Sequence, residues 1–103
     1  MTTATRTDTV LVAVELERQR QDKLFENGKI PWNLTDVTID DSIKLSVLME
    51  EIGEVARELN ETNGVPHQSL YNELVQVAAV SVAWAESIQE LIQYMDEASG
   101  SGE

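Results

Sequence analysis

Two helical spacings of oxygen-bearing side chains stand out. Glu51 and Glu54 lie three residues apart, with Glu50 beside them, and Glu73 and Gln76 repeat the spacing further on. Residues at i and i+3 share a helix face. Two carboxylates on such a face cannot both stay ionised in a dry cleft without protons or cations to compensate. Mg²⁺ or Mn²⁺ is the usual compensation, because hard divalent ions take oxygen ligands. The opposing reading is a solvated acidic face, which is common in acidic proteins.

The stretch 45–61, LSVLMEEIGEVARELNE, must position the first pair. With Ile52 at zero and 100° per residue, Leu45, Leu48, Met49, Val55, Ala56 and Leu59 fall within about 60° of it, predicting a core-facing stripe. Glu51 borders the stripe, and Val47 lies inside the acidic arc. A fully solvated acidic face has little use for that valine, so the arc is expected to be partly enclosed.

The chain has 103 residues, a net charge of −12 and no cysteine. One domain is expected, without disulfides. The charge disfavours a nucleic acid polymer or an anionic membrane as partner. No apolar run is long enough to span a bilayer, residues 1–9 lack an apolar signal core, and a cytoplasmic location is expected. Residues 1–7 read as a flexible lead-in. Asp8 or Thr7 caps a first helix to about Asn27, with Val10, Leu11, Val14, Leu16, Leu24 and Phe25 as its apolar positions and Gly28 as its stop. Residues 28–39 form a loop carrying Pro31 and Trp32. Trp32 either packs down on the domain or offers a plate for a base. Asp40 or Asp41 caps the second helix, 41–61, and Asn63-Gly64 stops it before a turn through Pro66. The third helix runs from about His67 to Met95. His67 reads as a surface residue, and 96–103 as a disordered tail after a helical domain spanning 8–95.

The third helix carries the second pair into LVQVAAVSVAWA, residues 74–85, where only Gln76 and Ser81 are polar. Such a helix needs burial all round, which three helices of one short chain cannot supply. The prediction is an all-α helical hairpin bundle completed by homo-oligomerisation, as a dimer or tetramer, with the third helix near its centre. Leu70, Val77, Trp84 and Leu91 form one seven-residue row, which places Trp84 in the core. A short turn makes helices two and three antiparallel neighbours, so the two polar pairs can face each other.

Glu50-Glu51-Ile52-Gly53-Glu54, an 18-residue spacer and Glu73-Leu74-Val75-Gln76 resemble the E-E-x-x-E…E-x-x-D signature of MazG-like all-alpha NTP pyrophosphatases, over about residues 18–88. The resemblance implies a Mg²⁺-dependent enzyme that hydrolyses a nucleoside triphosphate to the monophosphate and pyrophosphate. It puts Glu51, Glu54 and Glu73 in the places of metal ligands, and Glu50 at a second ion or at the attacking water. Gln76 stands where the family usually has Asp, leaving a neutral amide oxygen as ligand. In that reading Glu50 or Glu54 takes the water's proton. Arg20, Lys23 and Lys44 are the cationic candidates for the outer phosphates, each also readable as a surface charge. Trp32 and Asn33 are candidates for the base. The alternatives are a non-catalytic nucleotide- or metal-binding oligomer, favoured by Gln76, and a ligand-free helical adaptor.

Overall fold

Thr5 opens the first helix. Its hydroxyl accepts the Asp8 N–H at 3.0 Å, and the Asp8 carboxylate accepts the Thr5 N–H at 2.9 Å, a reciprocal capping box. In the computed structural model, which describes residues 3–65 and 67–100, helix α1 therefore spans Arg6–Glu26. It begins two residues before the expected start at Asp8, because Asp8 fills the third helical position and Thr5 the cap. Gly28, at φ 71°, ends it: Gly28 N–H returns to the Phe25 carbonyl and Lys29 N–H to that of Leu24. That is the closure for which a left-handed glycine is suited.

The loop 27–40 is pinned at three points. Asn33 Oδ1 accepts from the Thr35 backbone and hydroxyl, and Asp36 Oδ1 does the same for Thr38. Leu34 is buried against Val80 and Ala83. Helix α2 spans Asp41–Glu61, as predicted. Asp40 occupies its cap position without a side-chain cap bond, and Asp41 Oδ1 accepts instead from Trp84 Nε1 at 2.8 Å. Asn63 and Gly64, both at positive φ, end α2, with Gly64 N–H on the Leu59 carbonyl at 2.9 Å. Pro66, expected in this turn, lies outside the described residues. Helix α3 spans Gln68–Gly100, so residues 96–100 of the expected tail continue the helix. Residues 101–103 and the first two of the lead-in lie outside the described residues.

The described residues form three helices and no strand. Helix α3 lies between the other two: α1 and α2 each pack on α3, and not on each other. Val14 meets Val75 and Ala79 on one side. Val47 and Leu48 meet Val80 and Ala83 on the other. Ala79 and Ala83, one at each of these contacts, are almost wholly buried. No described helix is long and apolar enough to cross a membrane.

The stripe predicted to face the core does not face it. Leu45, Met49, Ile52 and Leu59 are exposed, and only Leu48 and Val55 are half-buried. The buried arc of α2, through Lys44, Leu48, Glu51 and Val55, is turned by about 70° from the stripe's centre. Similarly, Val14 is the only one of the six apolar α1 positions that is buried. Trp84 is half-buried rather than core.

Candidate functional site

Three helices and the pinned loop enclose a cleft of about 540 Å³. Helix α1 supplies Glu17, Arg18, Arg20 and Gln21; the loop supplies Ile30, Pro31, Trp32 and Asn33; α2 supplies Val47, Glu50 and Glu51; α3 supplies Gln76, Val80 and Ala83. Six predicted site residues thus share one cavity: Glu50, Glu51, Gln76, Arg20, Trp32 and Asn33. Trp32 is 42 % exposed, so its ring lines the cleft without being sunk in the core. Glu17, Arg20 and Gln76 also line a second hollow between α1 and α3, so they form the partition between the two.

Glu54 and Glu73 do not line the cleft, but they belong to the same electrostatic neighbourhood. Burial pushes the Glu51 carboxyl above its ordinary 4.5, and Glu73, Glu54, Glu17 and Glu50 add to the rise. Burial likewise raises Glu73, followed by Glu54 and Glu58, against the pull of Arg57. Oε2 of Glu51 and Oε2 of Glu73 are both buried without a hydrogen-bond partner. An orphaned carboxylate oxygen is disfavoured unless a proton or cation joins it. Glu54 is partly neutralised by Arg57 at 2.8 Å. In this conformation the carboxylates are neighbours rather than ligands of one point: no group of three His, Asp or Glu among the described residues is arranged to hold a metal ion.

Two substrate candidates fall elsewhere. Lys44 is 1 % exposed, and its Nζ donates to Ser87 Oγ at 2.7 Å between α2 and α3. It is neither a surface charge nor a cleft residue, because its place on α2 is on the arc turned to α3. Lys23 is exposed in the last turn of α1, where a cation complements the helix dipole, and does not line the cleft. Arg20 does line it, with its guanidinium held by Glu17 at 2.7 Å through two nitrogens. His67 stands 3.5 Å from Glu58, linking the end of α2 to the start of α3.

Two cleft residues escaped the sequence reading. Glu17 brings a carboxylate from α1 to the Glu51–Glu73 neighbourhood, bonded to Arg20 and Gln21. Arg18 is buried and binds Gln21, Asp22 and Glu86, joining α1 to α3. The spacing of Val14, Glu17, Arg18 and Gln21 puts all four on one helix face and was the available signal.

The raised carboxyls set a pH dependence. The folded chain holds protons on Glu51 and Glu73 that the unfolded chain releases near the ordinary 4.5. Their contribution to stability is complete below that value and is lost as pH rises through the folded-state pKa values. Asp8 and Asp36 shift oppositely, but only below their ordinary 3.8. In chelator, the melting temperature should fall as pH is raised from 4.5, and Glu51→Gln should flatten that slope. An unchanged slope would remove Glu51 from the cluster.

Comparison with family models, curated proteins and solved structures finds no match to this chain.

Proposed function

We infer that the protein is a Mg²⁺-dependent nucleoside triphosphate pyrophosphohydrolase working as a homo-oligomer. The observation that carries this is the meeting of carboxylates from three helices, two with buried unpartnered oxygens, beside a cleft that carries an exposed tryptophan. The resemblance of the two acidic segments to MazG-like enzymes supplies the reaction. Glu51, Glu73 and Glu54 are the residues that would hold the ion, with Gln76 offering an amide oxygen. Bound Mg²⁺ would hold the triphosphate and polarise a water.

Glu50 is the better base of the two candidates. It is exposed and lines the cleft, whereas Glu54 is tied to Arg57 and does not. Trp32 offers a π-face to a base, and Asn33 a partly committed amide: its Oδ1 is used by Thr35, while Nδ2 sits 3.4 Å from Asp22. Arg20 reaches an outer phosphate only by leaving Glu17.

A second reading, a nucleotide- or metal-binding oligomer without turnover, is favoured by the neutral Gln76. Two measurements separate them. Mg²⁺ or Mn²⁺ should raise the melting temperature by mass action on the folded state, and Glu51→Gln should reduce that rise. Pyrophosphate release should be measured on a panel of standard and modified triphosphates. Glu50→Gln should lower it at least about 100-fold while leaving the metal-linked rise in place. A metal-linked rise with no pyrophosphate from any triphosphate would establish the binder.

A further inference from the structure

The cleft has a charged end and an apolar end. Lys44 meets Ser87 and Glu58 meets His67, so α2 and α3 run antiparallel. Glu50, Glu51 and Gln76 therefore stand toward the α2–α3 turn, and Ile43, Val47 and Ala83 lie further from it. Leu34, buried against Val80 and Ala83, holds the loop with Trp32 and Asn33 at the apolar end. Two amides of the cleft wall have orientations fixed by their partners. The Thr35 backbone N–H can only donate, so the Asn33 atom 3.1 Å from it is Oδ1, and the Thr35 hydroxyl donates to the same oxygen at 2.6 Å. A guanidinium likewise only donates, so the Gln21 atom 3.0 Å from Arg18 Nη1 is Oε1. Each amide oxygen is thus consumed within the fold. Asn33 Nδ2 gives one hydrogen to Asp22 Oδ1 at 3.4 Å, and Gln21 Nε2 gives one to Glu17 at 3.3 Å. Among the described residues the second hydrogen on each nitrogen has no partner. Asp22 itself does not line the cleft, so it does not turn this edge into an acceptor.

We propose that the cleft selects its nucleotide by a ring carbonyl oxygen on the base, read by Asn33 Nδ2, so that oxo bases are taken and adenine is refused. This rests on the nucleotide reading of the cleft and names the base class that it takes. Neighbours in one loop, Trp32 offers a face and Asn33 a donor. Every base has a face to stack, so the tryptophan alone does not discriminate. The donor does. Guanine presents O6 and thymine or uracil O4, whereas adenine presents an amino group at the equivalent edge. An amino group set against Asn33 Nδ2 places two donors together, and both lose water without gaining an acceptor. A site built around a hydrogen bond rejects the analogue that cannot make it far more strongly than an apolar pocket rejects a change of size. The pinned Asn33 cannot escape by rotating its amide, because that would put its nitrogen against the Thr35 N–H. Asn33 is thus the residue that sets specificity, and Thr35 the positioning residue behind it.

Inosine and adenosine nucleotides make the test, because they differ at C6, oxo in one and amino in the other, and in the proton on N1. With Mg²⁺, kcat/KM for pyrophosphate release should be at least about ten-fold higher for inosine triphosphate than for adenosine triphosphate. Calorimetry with the two monophosphates should give the same order of affinity. Asn33→Asp keeps the oxygen that Thr35 needs and replaces Nδ2 by an acceptor. Asn33→Ser also keeps an acceptor for Thr35 and removes Nδ2 without adding charge beside Asp22. Both should bring the two nucleotides to within about three-fold of each other, with helical circular dichroism retained. Equal use of the two triphosphates by the wild type, or a preference that survives in both variants, overturns the assignment and leaves the pyrophosphohydrolase standing. If no triphosphate releases pyrophosphate, the enzymatic reading falls and the monophosphates decide this one. Tighter inosine monophosphate binding that Asn33→Ser abolishes upholds it, and equal or absent binding overturns it.

Discussion

Replacing Gln76 by Asp should tighten Mg²⁺ binding roughly ten-fold, equivalent to about 1.4 kcal/mol, and should raise pyrophosphate release at limiting Mg²⁺. Gln76 lines the cleft one helical turn from Glu73. A carboxylate there adds a charged oxygen ligand to a set that includes Glu51, and affinity in oxygen sites follows ligand charge. Without metal the same change adds repulsion to two carboxyls already pushed upward. The metal-free variant should lose about 1–2 kcal/mol, on the scale of one pKa unit per 1.4 kcal/mol. Melting temperature and turnover, each with and without Mg²⁺, test this together. A stability loss that metal does not recover, with no gain in turnover, would show that Gln76 is a structural amide and not a metal ligand.

The second large effect concerns the pair buried between α2 and α3. Ser87→Ala should destabilise the protein by about 2–3 kcal/mol, the value of a hydrogen bond to a charged group, or roughly 10–20 °C in melting temperature for a chain of this length. Ser87 is fully buried, and its hydroxyl accepts from Lys44 Nζ at 2.7 Å while donating to the Trp84 carbonyl at 2.7 Å. Among the described residues no carboxylate is within ion-pair distance of Lys44. Alanine would leave a buried ammonium without its acceptor. Lys44→Met removes the charge and keeps the volume, so it should be near neutral, and Lys44→Met/Ser87→Ala should recover most of the loss. Thermal melts of the three variants form a complete cycle. If Lys44→Met were as damaging as Ser87→Ala, the ammonium would be stabilising the fold by some route other than this bond.

Local chemistry in the sequence was a good guide to helix ends. Gly28 and Asn63-Gly64 have the positive φ that their residue types favour, and α2 has the predicted bounds. The start of α1 is displaced because Thr5 and Asp8 act as a unit three residues apart, whereas the acid taken alone reads as the cap. The enclosure of the acidic arc was legible from an apolar residue out of place. Val47 among glutamates did signal enclosure of the acidic arc. What periodicity could not show was the direction of cover. The Leu45–Ile52–Leu59 stripe reports which side chains favour burial, but not whether this chain or another provides it. Lys44 was misjudged for the same reason: a lysine on the side turned to α3 looks, in sequence, like any other solvated charge. Glu17 and Arg18 stand within a run of charges, E-R-Q-R-Q-D-K, where composition reads as a solvated face and only their helical spacing from Val14 and Gln21 marks them off.

That α1 and α2 meet only through α3 also orders the assembly of the molecule. The α2–α3 hairpin closes over the short segment between Glu61 and Gln68. The α1–α3 contact joins Val14 to Val75, across most of the chain. Loop-closure entropy grows with the logarithm of contour length, which puts the second closure roughly 2 kcal/mol above the first. The hairpin is thus a local unit that can form before α1 docks, and α1 is the long-range contact of the fold. The cleft exists only after that docking, because its wall carrying Glu17, Arg18 and Arg20 arrives with α1. A ligand bridging the α1 and α2 walls would supply the coupling that the two helices lack, binding the last-docked segment to the hairpin.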